Sequence, residues 1–270
     1  MDFTKMHGSG NDFIIIEAPS WDQAGQYRKD AAFLCDRNYG IGADGLIITG
    51  PSDEADVFMR IFNPDGSEPE MCGNGIRCVA KYVYQKGLVD KKEIIVKTLA
   101  GVRLPELILT GNKVTAVRVD MGVPVFSSQG LVAIKVSGQE FMATLVSVGN
   151  PHCVVFVENM STVPVSLWGS EIENHRMFPD RTNVEFVQVL NKSEIILRVW
   201  ERGAGVTLAC GTGACAALAA SVYNNKTYRK AIVRLLGGDL LVEWDEDDGH
   251  LYMTGPAVEV FKGTVALESE

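Results

Sequence analysis

The chain has 270 residues, 46% of them apolar and 22% charged, and a formal net charge of −9 at pH 7. That composition belongs to a folded globular protein with enough chain for one large domain or two ordinary ones. The negative balance excludes a nucleic-acid partner, which needs a basic face, and no run of about 18 apolar residues is present to span a membrane.

The first residues, MDFTKMHGSGNDF, lack the charged-then-apolar pattern of an export signal, which predicts a cytoplasmic protein. Alternating or β-branched runs predict strands at 13–17, 45–49, 57–63, 93–97, 101–109 and 113–120, with helices at 29–37 and 73–86. Between the first helix and the strand at 45–49 lies Gly40-Ile41-Gly42-Ala43-Asp44-Gly45, which matches the G-x-G-x-x-G spacing of dinucleotide sites. That fingerprint needs a strand before it and a helix after it, so that pyrophosphate meets a helix N-terminus. Here the order is reversed, so a nucleotide site is not expected. Further along, strands are predicted at 131–137, 140–148, 153–157, 184–190, 194–200, 230–236, 238–244, 250–254 and 258–266, with helices at 166–175 and 211–224. Many strands with few helices indicate an α+β fold.

The chain also repeats itself. Met71-Cys72-Gly73-Asn74-Gly75-Ile76 and Ala209-Cys210-Gly211-Thr212-Gly213-Ala214 both read C-G-polar-G before an apolar helical run. Asn63 lies nine residues before Cys72, and Glu201 lies nine before Cys210, each after a strand-like run and at the opening of a glycine-bearing turn. Gly10-Asn11 and Gly149-Asn150 extend the match upstream: Asn11 to Cys72 is 61 residues and Asn150 to Cys210 is 60. The chain therefore reads as two copies of one fold, each of about 130 residues. The expected domains are 1–115, completed by a last strand returning at about 257–270, and 116–256.

Six cysteines, at 35, 72, 78, 153, 210 and 215, sit in a chain too long to depend on disulfides. With no C-x-x-C pair and four scattered histidines, no metal site is expected. Cys72 and Cys210 are different from the rest, because each closes a glycine loop where a helix begins. The first N–H groups of a helix lack internal partners and carry partial positive charge, so such a place binds a carboxylate and stabilises a thiolate. It can draw a thiol from about 8.5 into roughly 3.5–7.5. A thiolate and a thiol can remove and return the α-hydrogen of an amino acid on opposite faces, once its carboxylate is held. The competing reading makes both cysteines small fillers at helix starts; their duplication with duplicated flanks favours chemistry. A Schiff-base lysine in a phosphate cup is not identifiable, so no cofactor is expected.

At this point the chain resembles the diaminopimelate epimerase family. The resemblance is carried by His7-Gly8-Ser9-Gly10-Asn11-Asp12-Phe13, Gly42-Ala43-Asp44-Gly45, Phe62-Asn63-Pro64-Asp65-Gly66-Ser67-Glu68 and Met71 to Cys78. Gly149-Asn150-Pro151-His152, Arg181-Thr182-Asn183-Val184-Glu185-Phe186, Trp200-Glu201-Arg202-Gly203 and Ala209 to Gly213 continue it across almost the whole chain. It implies two similar domains, each a mostly antiparallel β-barrel-like sheet around a central helix, with the active site in the cleft between them. It implies a small-molecule substrate, LL-diaminopimelate, converted to the meso form without a cofactor, by a homodimeric enzyme.

The resemblance further implies that Cys72 and Cys210 are the paired base and acid. Gly73, Asn74, Gly211 and Thr212 would hold the reacting carboxylate. Asn11, Asn63, Asn150, Asn183, Glu201 and Arg202 would hold the amino groups and distal carboxylate, with His152 in support. Arg meets a carboxylate bidentately, Glu accepts from an ammonium and Asn does either, so this mixture suits a substrate with two amino-acid heads. Three local alternatives stand beside these roles. Asn63 can be a turn former, His152 a satisfied structural histidine, and Arg202 the partner of Glu201 in a surface ion pair. Where some family members carry glutamine this chain has Gly45, so no contact is assigned there. A racemase of another amino acid would share the two thiols and differ in the distal set.

Overall fold

A computed structural model describes residues 1–267. The chain forms two compact units, Met1–Val119 with the chain from Gly255 onward, and Asp120–Thr254. Among the described residues no helix is long and apolar enough to cross a membrane.

The first unit opens with strands β1 (Asp2–Gly8) and β2 (Asn11–Glu17). They are joined by Ser9-Gly10, both at positive φ (55° and 85°), the twist that two-residue hairpins prefer. Short helices α1 (Trp21–Ala24) and α2 (Ala31–Cys35) follow, with a 3-10 stretch, Gly25–Asp30, between them. The single helix expected at 29–37 is thus broken and shorter. Asp36 ends it: its backbone is extended and its carboxylate accepts from the N–H groups of Asn38 and Tyr39. Gly40 then passes so close to the α2 end that a Cβ would lie 1.9 Å from the Phe33 carbonyl oxygen. The glycines of the G-x-G-x-x-G segment thus serve a tight helix-to-strand turn.

Next come β3 (Gly45–Pro51), β4 (Val57–Phe62), α3 (Gly73–Gln85), β5 (Val96–Thr98), β6 (Gly101–Arg103), β7 (Glu106–Thr110) and β8 (Lys113–Gly122). The strand expected over 101–109 divides at Leu104-Pro105, because proline has no N–H for a ladder. In α3 the apolar residues Ile76, Val79, Ala80 and Val83 fall at helical spacing and are all buried.

The second unit runs through β9 (Val125–Val136), β10 (Gln139–Ser147), β11 (Pro151–Phe156), α4 (Val165–Glu173), β12 (Asn183–Asn191) and β13 (Glu194–Glu201). It continues with β14 (Gly205–Val206), α5 (Gly211–Tyr223), β15 (Lys230–Leu235), β16 (Gly238–Trp244) and β17 (Leu251–Gly255). Helix α5 is apolar all round and buried from Gly213 to Ser221, packed on β10, β11, β12, β13, β15 and β16. The last strand, β18 (Val258–Thr264), pairs antiparallel with β1. Of the closing segment expected at 257–270, residues 268–270 lie outside the described residues.

Strand orientation carries the repeat into the fold. In the first unit the order is β18-β1-β2-β3-β4-β5-β6, with β2/β3 and β4/β5 parallel and the other pairs antiparallel. In the second, β9-β10-β11-β12-β13-β15-β16 repeats the same succession, with β11/β12 and β13/β15 parallel. A parallel pair needs a crossover, and α3 and α5 occupy the equivalent one in each unit. The sheets are therefore mixed, and barrel-like closure is not reached. The first runs openly from β18 to β6, whose three residues stop short of the Pro105 break.

Candidate active site

Cys72 and Cys210 are the N-caps of α3 and α5. Both have extended backbones, and each sulfur accepts from the N–H three residues on, Gly75 and Gly213, at 3.4 Å. This is the place a serine or aspartate takes in an ordinary cap. A thiol there faces the N–H groups of the first turn, for which the helix itself offers no acceptor.

Around Cys72, Asn11 sits just after the Ser9-Gly10 turn. Its Nδ2 donates to Asp44 Oδ2 (2.8 Å), which leaves its Oδ1 to accept from Asn74 Nδ2 (3.1 Å) and from the Cys72 thiol (3.9 Å). Asp44 and Asp12 share Arg37, at 2.8 Å each, and the nearly buried Lys5 pairs with Asp12 at 2.7 Å. Burial pushes the Asp12 carboxyl up, but hydrogen bonds from Arg37 and Lys5 outweigh it and set it at about 2. Behind the helix start lies Arg77, fully buried, with Nη1 donating to the Gly73 carbonyl at 3.2 Å.

Asn63 does not reach these groups through its Nδ2, which donates to Ser67 Oγ (2.9 Å), while its backbone closes the turn with Gly66 and Ser67. The turn-forming reading of Asn63 is realised locally.

Around Cys210, Asn150 follows Gly149, whose φ of 84° ends β10 as Gly10 ends β1. Asn150 Nδ2 points to Thr212 Oγ1 (3.4 Å), which lies 3.5 Å from Cys210 Sγ. His152 Nε2 lies 2.8 Å from Asn150 Oδ1, and its Nδ1 lies 2.7 Å from Glu185 Oε1. On the same strand as Glu185, Asn183 is buried, with Nδ2 donating to the Pro151 carbonyl and Oδ1 accepting from the Arg202 N–H (3.0 Å). Arg202 is exposed and its Nη1 donates to the Asp180 carbonyl, while the Glu201 carboxylate accepts from the Thr207 hydroxyl.

The structure thus gathers Asn11, Asn74 and Cys72 in one unit, and Asn150, His152, Thr212 and Cys210 in the other. Asn183 is joined to Arg202. His152 is buried with both ring nitrogens hydrogen-bonded, and through Asn150 it stands two hydrogen bonds from Thr212.

Sequence reasoning expects the helix start to lower both thiols. At Cys210 the opposite direction prevails. Burial first, then the charges of Glu201 and Glu185, push the thiol well up, against the Thr212 hydroxyl and the Gly213 N–H. Cys72 is the more exposed of the two. The other four thiols are buried packing residues, with Cys35 raised to about 11 and Cys78 to about 12 mainly by burial.

Two residues that sequence reasoning left without roles belong to this scene. Asp44 orients Asn11, and Glu185 holds His152. The signal for Glu185 was a charged residue inside Val184-Glu185-Phe186-Val187, a run buried on both faces.

Comparison with known proteins gives these groups a context. The diaminopimelate epimerase family model matches residues 3–127 and 144–260. The chain belongs to the diaminopimelate epimerase family. It is 52% identical over 279 residues to a diaminopimelate epimerase of Moorella thermoacetica, covering 99% of this chain and all of that one. Solved structures share the fold at lower identity. A phenazine biosynthesis protein of the PhzF family from Bacillus anthracis matches with a TM-score of 0.74 at 17% identity, covering 99% of both chains. A probable proline racemase from Agrobacterium radiobacter, solved with bound carbonate, also gives 0.74 at 17% identity, covering 99% of this chain and 93% of that one. In this member of the diaminopimelate epimerase family, the segments with the Asn, Cys and Glu-Arg landmarks all fall inside the matched regions.

Proposed function

We propose that this chain converts LL-diaminopimelate to meso-diaminopimelate by exchanging one α-proton between Cys72 and Cys210. One observation carries the two-thiol mechanism: each unit places a cysteine at the N-cap of its crossover helix, beside N–H groups that suit a carboxylate. The substrate assignment rests on family membership over nearly the full chain.

The N–H groups at Gly73-Asn74 and Gly211-Thr212 stabilise the enolate-like carboxylate that develops as the α-hydrogen leaves. One sulfur takes that hydrogen as a proton, and the other delivers a proton to the opposite face. In the reverse direction the two exchange roles. Asn11 and Asn150 meet the reacting head; Asn63, Asn183, Glu201 and Arg202 serve the second head. A substrate lacking that second head leaves these polar groups unpaired, which is how selectivity arises. The two compact units are the two repeat domains, the first closed by β18, and the active species is a homodimer that uses no cofactor.

The test is incubation of the reduced protein with LL-diaminopimelate and nothing else, with the stereoisomers resolved by chiral chromatography. Appearance of the meso form is expected. Failure on diaminopimelate with turnover of proline or another amino acid would overturn the substrate and keep the thiol chemistry.

A further inference from the structure

Glu185 is the third residue of β12 and has no exposed surface. Its Oε1 meets His152 Nδ1 at 2.7 Å, and its Oε2 has no hydrogen-bond partner. No lysine or arginine pairs with it among the described residues. The titratable groups around it are His152 and Cys153 on β11, Glu201 on β13 and Cys210 at the start of α5. An isolated carboxylate in such a place is expensive, since nothing replaces the water it has lost.

The hydrogen bonds on the far side of the imidazole count its protons. Asn150 Nδ2 donates to Thr212, so Asn150 Oδ1 is the atom that faces His152, and an oxygen there can only accept. His152 Nε2 must therefore carry a proton. A bare Nδ1 and a carboxylate are both acceptors, so their 2.7 Å contact requires a second one. Whether that second proton rests on nitrogen or oxygen, the pair carries no net charge.

We propose that Glu185 is a positioning residue: with His152 it forms a buried, two-proton, uncharged pair that keeps Nε2–H on Asn150 and so aims the Asn150 amide at Thr212 beside Cys210. Burial pushes the Glu185 carboxyl up, in the direction this requires. The pair also sits directly behind the thiol, because a Cβ on Gly213 would lie 2.9 Å from Glu185 Oε1 and 3.3 Å from Cys210 Sγ. Its neutrality matters there. With the pair neutral overall, opposition to a thiolate at Cys210 falls mainly to Glu201, and Cys210 can give up its proton during turnover.

The kinetic part rests on the epimerase reading, and the spectroscopic part does not. The full-length reduced protein is labelled with 15N in its histidine rings, and long-range proton–nitrogen spectra are recorded near neutral pH, with His152 assigned by its loss in His152→Gln. A protonated Nε2 on His152 is expected. A bare Nε2, meaning a one-proton anionic pair, would overturn the proposal.

Glu185→Leu removes the partner at similar volume. It should lower kcat roughly 10–100-fold, the scale known for losing the outer partner of a metal-ligating histidine, and release the fixed ring tautomer. Glu185→Gln can donate to Nδ1 through its amide and should restore both the Nε2 signal and most of kcat. A folded Leu variant with unchanged kcat, or a Gln variant as impaired as the Leu variant, would overturn it. If the Leu variant does not fold, the wild-type spectrum and the Gln variant's kcat and spectrum decide. A protein with protonated Nε2 but no activity on diaminopimelate supports the pair and overturns the epimerase reading.

Discussion

At the start of α3, Asn11 turns its carbonyl oxygen toward Asn74 and the Cys72 thiol, because Asp44 has taken its amide. At the start of α5, Asn150 spends its carbonyl on His152 and turns its amide toward Thr212, whose hydroxyl stands beside Cys210. The two asparagines occupy equivalent places after equivalent glycine turns, yet present opposite chemistry. The buried ionisable groups differ as well: a guanidinium, Arg77, lies behind the first helix start, and the Glu185–His152 pair behind the second. Duplication kept what the backbone supplies, a cap and a row of N–H groups. What surrounds each sulfur comes from side chains that diverged. The two thiols are therefore unequal: Cys210 is buried with its thiol raised, and Cys72 is the more exposed.

The comparison breaks most plainly if one thiol is dispensable. Cys72→Ser and Cys210→Ser should each lower turnover by roughly 10²–10⁴-fold, the range for losing a general acid or base. A Cys210→Ser enzyme within a few-fold of wild type would leave Cys72 as the one essential thiol.

The inequality itself is read by alkylation. Iodoacetamide should modify Cys72 on the order of 10 times faster than Cys210 near neutral pH, as judged by peptide mass spectrometry, since Cys72 is the more exposed and the raised Cys210 thiol supplies little reactive thiolate. Because the Cys210 thiol is raised, its thiolate fraction grows as pH rises, so its modification should accelerate toward alkaline pH. Equal rates would contradict the asymmetry.

Crowding sharpens the same contrast. In Gly213→Ala the new methyl meets the fixed Glu185 Oε1 at 2.9 Å, whereas in Gly75→Ala it meets the Ile47 Cδ1 methyl at 3.0 Å, which can turn aside. Gly213→Ala should destabilise by about 1–3 kcal/mol in urea unfolding and Gly75→Ala by less.

The smallest effect concerns Asp12. Its folded value of about 2 lies below the ordinary aspartate value, so it contributes stability above the unfolded value that is lost as pH falls through about 2. Asp12→Asn should flatten the acid limb of a stability–pH curve between about pH 4 and pH 2; an unchanged limb would show that the Lys5–Asp12–Arg37 group adds no pH-linked stability.

Much of this was legible in the sequence because it is written in local patterns. The C-G-x-G segments specify their helix starts by glycine spacing, and Gly10-Asn11 and Gly149-Asn150 mark two equivalent turns. What was not legible depends on long-range contact. Strand β1, Asp2–Gly8, is hidden because Lys5 and His7 interrupt its apolar residues, and the buried Lys5 is held by Asp12 and the Gly42 carbonyl, contacts that no local pattern shows. The direction of the Cys210 shift is not legible because a helix start can be seen in sequence, while its burial and its nearness to Glu201 and Glu185, 9 and 25 residues away, cannot. Asp44 was visible in its glycine motif, but its hold on Asn11 joins residues 33 apart.

The most direct test of the two-thiol account is turnover of LL-diaminopimelate in D₂O by the reduced wild-type protein, followed at the α-carbons by NMR. The account predicts meso product carrying deuterium at the inverted centre, formed at least about 100-fold more slowly by either single serine variant. Meso product that retains the original hydrogen, or full epimerisation by one serine variant, would contradict a proton passed between Cys72 and Cys210.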